Sequence, residues 1–151
     1  MQLVIVGAGR AGGSLALASA AAGHDVRGIL SRRPQPHAPV LAWDEALPRC
    51  DLVLVAVSDA AITEVAGRLA PLWSPPNAAV HLSGFASVTA LAPIAARGAP
   101  VGSFHPLQTL PDAERGAAAL AGAWAGITAV DENLKRLLRE FATTLGMHPF
   151  G

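Results

Sequence analysis

Three groups of residues combine types and spacing that chemistry needs. The first is Gly7-Ala8-Gly9-Arg10-Ala11-Gly12, a G-x-G-x-x-G run directly behind the apolar stretch Leu3-Val4-Ile5-Val6. A buried strand, that turn and a helix start, in that order, form the dinucleotide-binding fingerprint. Gly7 permits the tight turn, Gly9 lets a pyrophosphate approach the backbone, and Gly12 lets the helix pack close to the strand. The first N–H groups and the positive dipole end of that helix then hold the phosphates. The bland alternative is a glycine-rich turn in some other α/β protein. The strand before the run and the alanine-rich segment after it favour the fingerprint.

The second group is Ser31-Arg32-Arg33, about twenty residues beyond the glycines. An NAD-binding chain usually places an acidic residue there for the ribose hydroxyls. A carboxylate would repel a 2′-phosphate, whereas arginine donates charge-assisted bonds to it and serine adds a hydroxyl. The group therefore favours NADP(H) over NAD(H). Its plain alternative is a pair of solvated charges at a loop start.

The third group consists of His105, ahead of Pro106, and Ser83, ahead of Gly84. His105 could polarise or protonate a substrate oxygen during hydride transfer. Ser83 could touch the nicotinamide or the substrate. Structural roles compete with both: a ring bonded to backbone for His105, a turn for Ser83. His81 reads as a satisfied core histidine. Gln108 and Thr109 could line the site or simply belong to a loop. His24, His37 and His148 are dispersed and show no metal-ligand spacing, so no metal is expected.

Alternating elements must position these groups. Leu3–Val6 is a strand, and Arg10–Ala22 a helix with Gly23 at its C-terminal end. Asp25–Leu30 is a second strand, followed by a proline-rich loop over Pro34–Pro39. Asp44 is placed to cap a short helix over Glu45–Leu47. Asp51–Val57 is a third, buried strand, and Ala60–Ala70 has helical spacing. Ala78–Leu82, Val101–Phe104 and Trp124–Val130 are further strands, with a short helix over Val88–Ala96. Leu107–Gly116 reads as an irregular connection. Asp131–Leu145 is the clearest amphipathic helix, capped by Asp131 and ended by Gly146.

This alternation predicts an α/β fold, a doubly wound and mainly parallel Rossmann sheet with helices on both faces. Ligands of such sheets bind beyond the carboxyl ends of the strands. That rule selects Gly7 to Gly12, Ser31 to Arg33, Val57-Ser58-Asp59, Ser83-Gly84 and His105-Pro106.

Composition narrows the classes. In 151 residues, 52% are hydrophobic and only 15% charged, so apolar surface is expected to meet another domain or subunit. Eleven basic residues balance eleven acidic ones, giving no sign of a nucleic-acid or membrane partner. Cys50 is the only cysteine, which rules out an intrachain disulfide and fits a reducing cytoplasm.

Two segments, His81-Leu82-Ser83-Gly84 and Gly102-Ser103-Phe104-His105-Pro106-Leu107-Gln108-Thr109, are recognisable together with the Gly7-Ala8-Gly9 turn. With them the chain resembles the Rossmann-like oxidoreductases that carry a C-terminal helical domain of unknown function. It resembles, more distantly, deazaflavin-dependent NADP reductases, pyrroline-carboxylate reductases and the 6-phosphogluconate dehydrogenase superfamily. The resemblance implies an NADP(H)-binding domain of an oxidoreductase acting on a small carbonyl, imine or alcohol. A non-catalytic NADP(H)-binding or sensor module is the alternative. It also implies a helical domain that completes the substrate pocket. Residues 1–151 are expected to hold the Rossmann domain alone, with a homodimer partner or a missing C-terminal domain covering the site.

Overall fold

The computed structural model describes residues 1–33, 36 and 38–151. Pro34, Gln35 and His37, inside the expected proline-rich loop, lie outside the described residues. The first unit is β1 (Gln2–Val6), α1 (Arg10–Ala21) and β2 (Asp25–Leu30). Next come β3 (Val40–Leu41), β4 (Leu52–Val55), α2 (Ile62–Leu69) and β5 (Ala78–His81). The chain continues through α3 (Ala92–Ala95), β6 (Val101–Leu107), α4 (Ala113–Leu120), β7 (Trp124–Ala129), α5 (Glu132–Thr144) and β8 (His148–Phe150).

The strands form one sheet in the order β3-β2-β1-β4-β5-β6-β7-β8. From β3 to β6 all neighbours are parallel. β7 then runs antiparallel to β6, and β8 is parallel to β7. Strand order reverses between β1 and β4, which makes their carboxyl ends the topological switch point of a doubly wound sheet.

Alternation along the central strands splits the core into two layers. Leu3 and Ile5 of β1, Leu52 and Leu54 of β4 and Phe104 of β6 face α1 and α5, meeting Leu15, Leu138 and Phe141. Val4, Val6, Val53 and Val55 face the other way, onto Ile62 and Leu69 of α2 and Ile94 of α3. The amphipathic α5 follows its sequence pattern closely. The Asp131 side chain accepts from the Leu134 N–H at 2.8 Å, and Leu134, Leu138 and Phe141 are buried.

Four local expectations change. No helix forms over Glu45–Leu47, where the chain makes a turn and then runs irregularly towards β4. Residues 113–116, read as irregular, begin α4, whose N-terminus is capped by Asp112 through the Arg115 N–H at 2.8 Å. α4 lies directly on α1: a Cβ on Gly13 would come within 2.9 Å of Ala113 Cβ, and one on Gly116 would overlap the Ser14 hydroxyl. β6 runs on through His105 and Pro106 to Leu107, because β7 pairs with it as far as Leu107 opposite Trp124. Finally, β8 adds an edge strand beyond the last expected helix. No helix among the described residues is long and apolar enough to cross a membrane.

Candidate functional site

The glycine turn lies at the switch point. Gly7 adopts φ +100°, a left-handed conformation that side chains other than glycine rarely take, and a Cβ there would overlap the Ala56 carbonyl oxygen. A Cβ on Gly12 would overlap the Gly7 carbonyl oxygen. Gly9, in contrast, faces open space: a Cβ there would meet nothing within 4 Å. It is the N-cap of α1 and offers no side-chain cap. Gly13 N–H already bonds the Gly9 carbonyl at 2.9 Å, while the N–H groups of the first turn have no helical acceptor. Space, open donors and the dipole end therefore coincide at Gly9, and these features fit a diphosphate.

A groove of about 420 Å³ runs from this turn. It is lined by Gly9, Arg10 and Ala11 on one side, Ala56 to Asp59 on the other, and Leu82 and Ser83 at its far end. Ser31, Arg32 and Arg33 follow β2, the neighbour of β1 on the side away from β4. The Arg33 N–H bonds Ser31 Oγ at 3.1 Å, closing a small turn that holds both arginines outward. Both are exposed, and neither has an ion-pair partner among the described residues. Gly84 and His105 lie beyond this groove rather than in it.

A second groove, of about 580 Å³, adjoins the first at Ser83. Its floor is the bare face of β6 and β7, with Ser103 and His105 beside Gly126 and Thr128. Among the described residues, no α-helical side chain lines it. Val130 and Phe150 form its wall, 93% and 42% exposed, and Phe85 stands 96% exposed on the adjoining loop. Gln108 and Thr109 line neither groove.

Hydrogen bonds fix the chemistry of the groups between the two grooves. His105 Nδ1 lies 2.9 Å from the Leu82 carbonyl oxygen. A carbonyl only accepts, so Nδ1 carries the proton, and in the neutral ring Nε2 is an acceptor. Nε2 makes no hydrogen bond to the described residues, and His105 lines the groove. The ring lies against Gly84, where a Cβ would fall 2.6 Å from Nε2. Ser83 Oγ accepts from the Phe85 N–H at 3.0 Å and the Ala86 N–H at 2.9 Å. Its acceptor lone pairs thus hold a turn, and its own proton remains to be donated.

His81 has the structural environment read from its sequence position. It is 0% exposed; Nδ1 accepts from the Ser83 N–H and Nε2–H donates to the Ser87 carbonyl, both at 3.1 Å. Burial above all holds its pKa below the usual histidine value, opposed by the Ser87 carbonyl and Asp59 and reinforced by His105.

Comparison with known proteins gives the same fold. Solved structures with the same fold include a Bacteroides fragilis protein assigned as an NADP oxidoreductase, with TM-score 0.79 and 20% identity, covering 99% of this chain and 59% of that one. Prephenate dehydrogenase from A. aeolicus, solved with hydroxyphenyl propionate and NAD+, gives TM-score 0.77 at 16% identity over 99% and 59%. Plasmodium falciparum pyrroline carboxylate reductase, solved with NADP bound, gives 0.76 at 13% over 100% and 58%. The chain thus spans 58–59% of the length of these three structures. No curated protein matches it by sequence. A model of the Rossmann-like domain matches residues 1–106, and the chain belongs to the Rossmann-like domain family.

Proposed function

We propose that the chain is the NADP(H)-binding domain of an oxidoreductase that transfers hydride between a nicotinamide and a small carbonyl, imine or alcohol substrate. The observation that carries this reading is the open space at Gly9, set at the uncapped start of α1 and at the head of a groove ending at Ser83. Gly9, Arg10 and Ala11 hold the diphosphate, with Gly7 and Gly12 shaping the turn and Ala8 spacing it. Val57, Ser58 and Asp59 flank the cofactor's path from β4. Ser31, Arg32 and Arg33 hold a 2′-phosphate, which gives NADP(H) preference over NAD(H). The bound nicotinamide would supply or accept the hydride. His105 Nε2 accepts a hydrogen bond from a substrate hydroxyl or, once protonated, donates one to its carbonyl oxygen. Ser83 and Gly84 form the threshold between the grooves, with the Ser83 hydroxyl a donor toward either occupant. The apolar rim at Phe85, Val130 and Phe150 is covered by a second copy or a further domain, which excludes water from the site.

The neighbours named above that bind NAD+ or NADP support a nicotinamide dinucleotide, and Arg32 and Arg33 support NADP in particular. The test is NADPH oxidation over a panel of carbonyl and imine substrates by the complete protein. Turnover abolished or cut at least about a hundredfold in His105→Ala, with NADPH binding retained, is the expected result. Turnover that survives His105→Ala removes that residue from the chemistry. NADPH binding without turnover by either form would instead favour a non-catalytic sensor.

A further inference from the structure

His81, at the end of β5, and His105, within β6, are joined through the loop that follows β5. His81 ties that loop at both ends: the Ser83 N–H donates to its Nδ1, and its Nε2–H donates to the Ser87 carbonyl. Between these anchors Ser83 Oγ holds the Phe85 and Ala86 N–H groups. Ser87 Oγ accepts from the Thr89 N–H at 3.2 Å and so caps the following turn. The loop is thereby tied at both ends by His81 and in its middle by Ser83. Leu82 sits just ahead of it, and its carbonyl is the partner of His105 Nδ1 at 2.9 Å.

We infer that His81 is a positioning residue whose neutral Nε2–H form sets the proton on His105 through the Leu82–Ser87 segment. The inference rests on the reading of the two adjoining grooves as cofactor and substrate sites. Only the Nε2–H tautomer of His81 satisfies both of its partners, because the cation would present a donor to the Ser83 N–H. The loop then holds the Leu82 carbonyl against His105 Nδ1, which forces the His105 proton onto Nδ1 and leaves Nε2 facing the groove as an acceptor. A His81 side chain replaced by an apolar one of similar size would still fill the core. It would leave the Ser83 N–H and the Ser87 carbonyl without their partners, and the Leu82 carbonyl free to turn. Burial opposes charging of His81. Asp59 favours the cation and His105 disfavours it, and the net direction is towards the neutral ring the network requires.

The experiment is imidazole 15N–1H NMR on the whole chain, which reads the tautomer of each histidine without substrate or cofactor. The expected spectrum near neutral pH has His81 protonated at Nε2 and His105 at Nδ1. In His81→Phe the His105 ring should lose its fixed tautomer, and the amides of Ser83 to Ser87 should exchange at least about tenfold faster. His81→Asn, whose side-chain oxygen can still accept from the Ser83 N–H, should restore the Nδ1–H signal on His105. If His81→Phe does not fold, His81→Gln, whose longer side chain carries its amide to the place of Nε2 and so serves the Ser87 carbonyl rather than the Ser83 N–H, is compared with His81→Asn. Loss of the His105 signal in Gln but not in Asn supports the inference. An unchanged His105 tautomer in a folded His81→Phe, or in both polar variants, overturns it, as does a His81 protonated at Nδ1. Titration with 2′-phospho-ADP-ribose, which lacks the nicotinamide, separates the two levels. Its failure to bind the natural protein overturns the cofactor reading while leaving the tautomer result to stand or fall alone.

Discussion

Substituting valine at two glycines of the same turn should produce opposite failures. Gly9 has φ −74° and ψ −162°, backbone that valine tolerates, and its Cβ would point into open space. The folded state then loses only the advantage of glycine over valine at an N-cap, about 0.5–1 kcal/mol, so the melting temperature should fall by no more than about 2–4 °C. The same branched side chain would stand where the diphosphate approaches the α1 N-terminus. Loss of one charged hydrogen bond costs about 1.5–3 kcal/mol, so NADPH affinity should drop at least about ten- to a hundredfold. Gly12→Val should do the reverse first. Its Cβ overlaps the Gly7 carbonyl oxygen, and backbone cannot swing aside as a side-chain tip can. Overpacking of that kind costs about 1–3 kcal/mol or more, and binding would fail with the fold. Thermal melts by circular dichroism and NADPH fluorescence titration read both quantities. Natural affinity in Gly9→Val with an unchanged melt would show that no diphosphate lies at this turn.

Two further outcomes follow from the packing and the titrating groups. Asp131→Ala removes the acceptor for the Leu134 N–H and should cost about 1 kcal/mol, lowering the melting temperature by about 2–4 °C; an unchanged melt would refute the cap. His81 and His24 are both held below the ordinary histidine value of 6.5, His81 chiefly by burial and His24 by burial and then by the N-terminal ammonium. The unfolded chain therefore binds protons first as the pH falls. Their contribution is fully present above pH 6.5 and is lost as the pH falls through the lowered folded values. Urea midpoints should drop on going from about pH 7.5 to about pH 5.5, and a midpoint that rises over that interval would contradict the assignment.

The β1, β4 and β5 strands were legible because each holds a continuous apolar run buried on both faces, Leu3–Val6, Leu52–Val55 and Ala78–Val80. Helix α5 was legible because Asp131, its apolar stripe and Gly146 agree with one another. Helix α4 was not. It is short, and its buried face consists of Gly116 and Leu120 rather than a stripe of large apolar residues, since close packing on Ser14 of α1 demands a small residue there. The Asp112 cap and the four-residue spacing of Gly116 and Leu120 were the signals available. β8 is a three-residue edge strand containing Pro149, below what local pattern can specify. The glycine turn and the strand-end rule selected residues that the fold does bring to one ridge of the sheet. What they left open was direction: β7 returns antiparallel beside β6 and thereby lays His105 on a bare sheet face instead of on a loop. The link between His81 and His105 depends on which ring nitrogen meets which backbone group, and no spacing in the sequence encodes that.

The central claim is that the turn after β1 and the arginines after β2 hold a 2′-phosphorylated dinucleotide. Isothermal titration calorimetry of the chain with NADPH and with NADH tests it most directly, repeated on the Arg32→Ala, Arg33→Ala double variant. Tighter binding of NADPH by about ten- to a hundredfold, erased in the variant while NADH affinity holds, is the predicted result. Equal affinity for the two dinucleotides in the natural protein, or no binding of either, would contradict it.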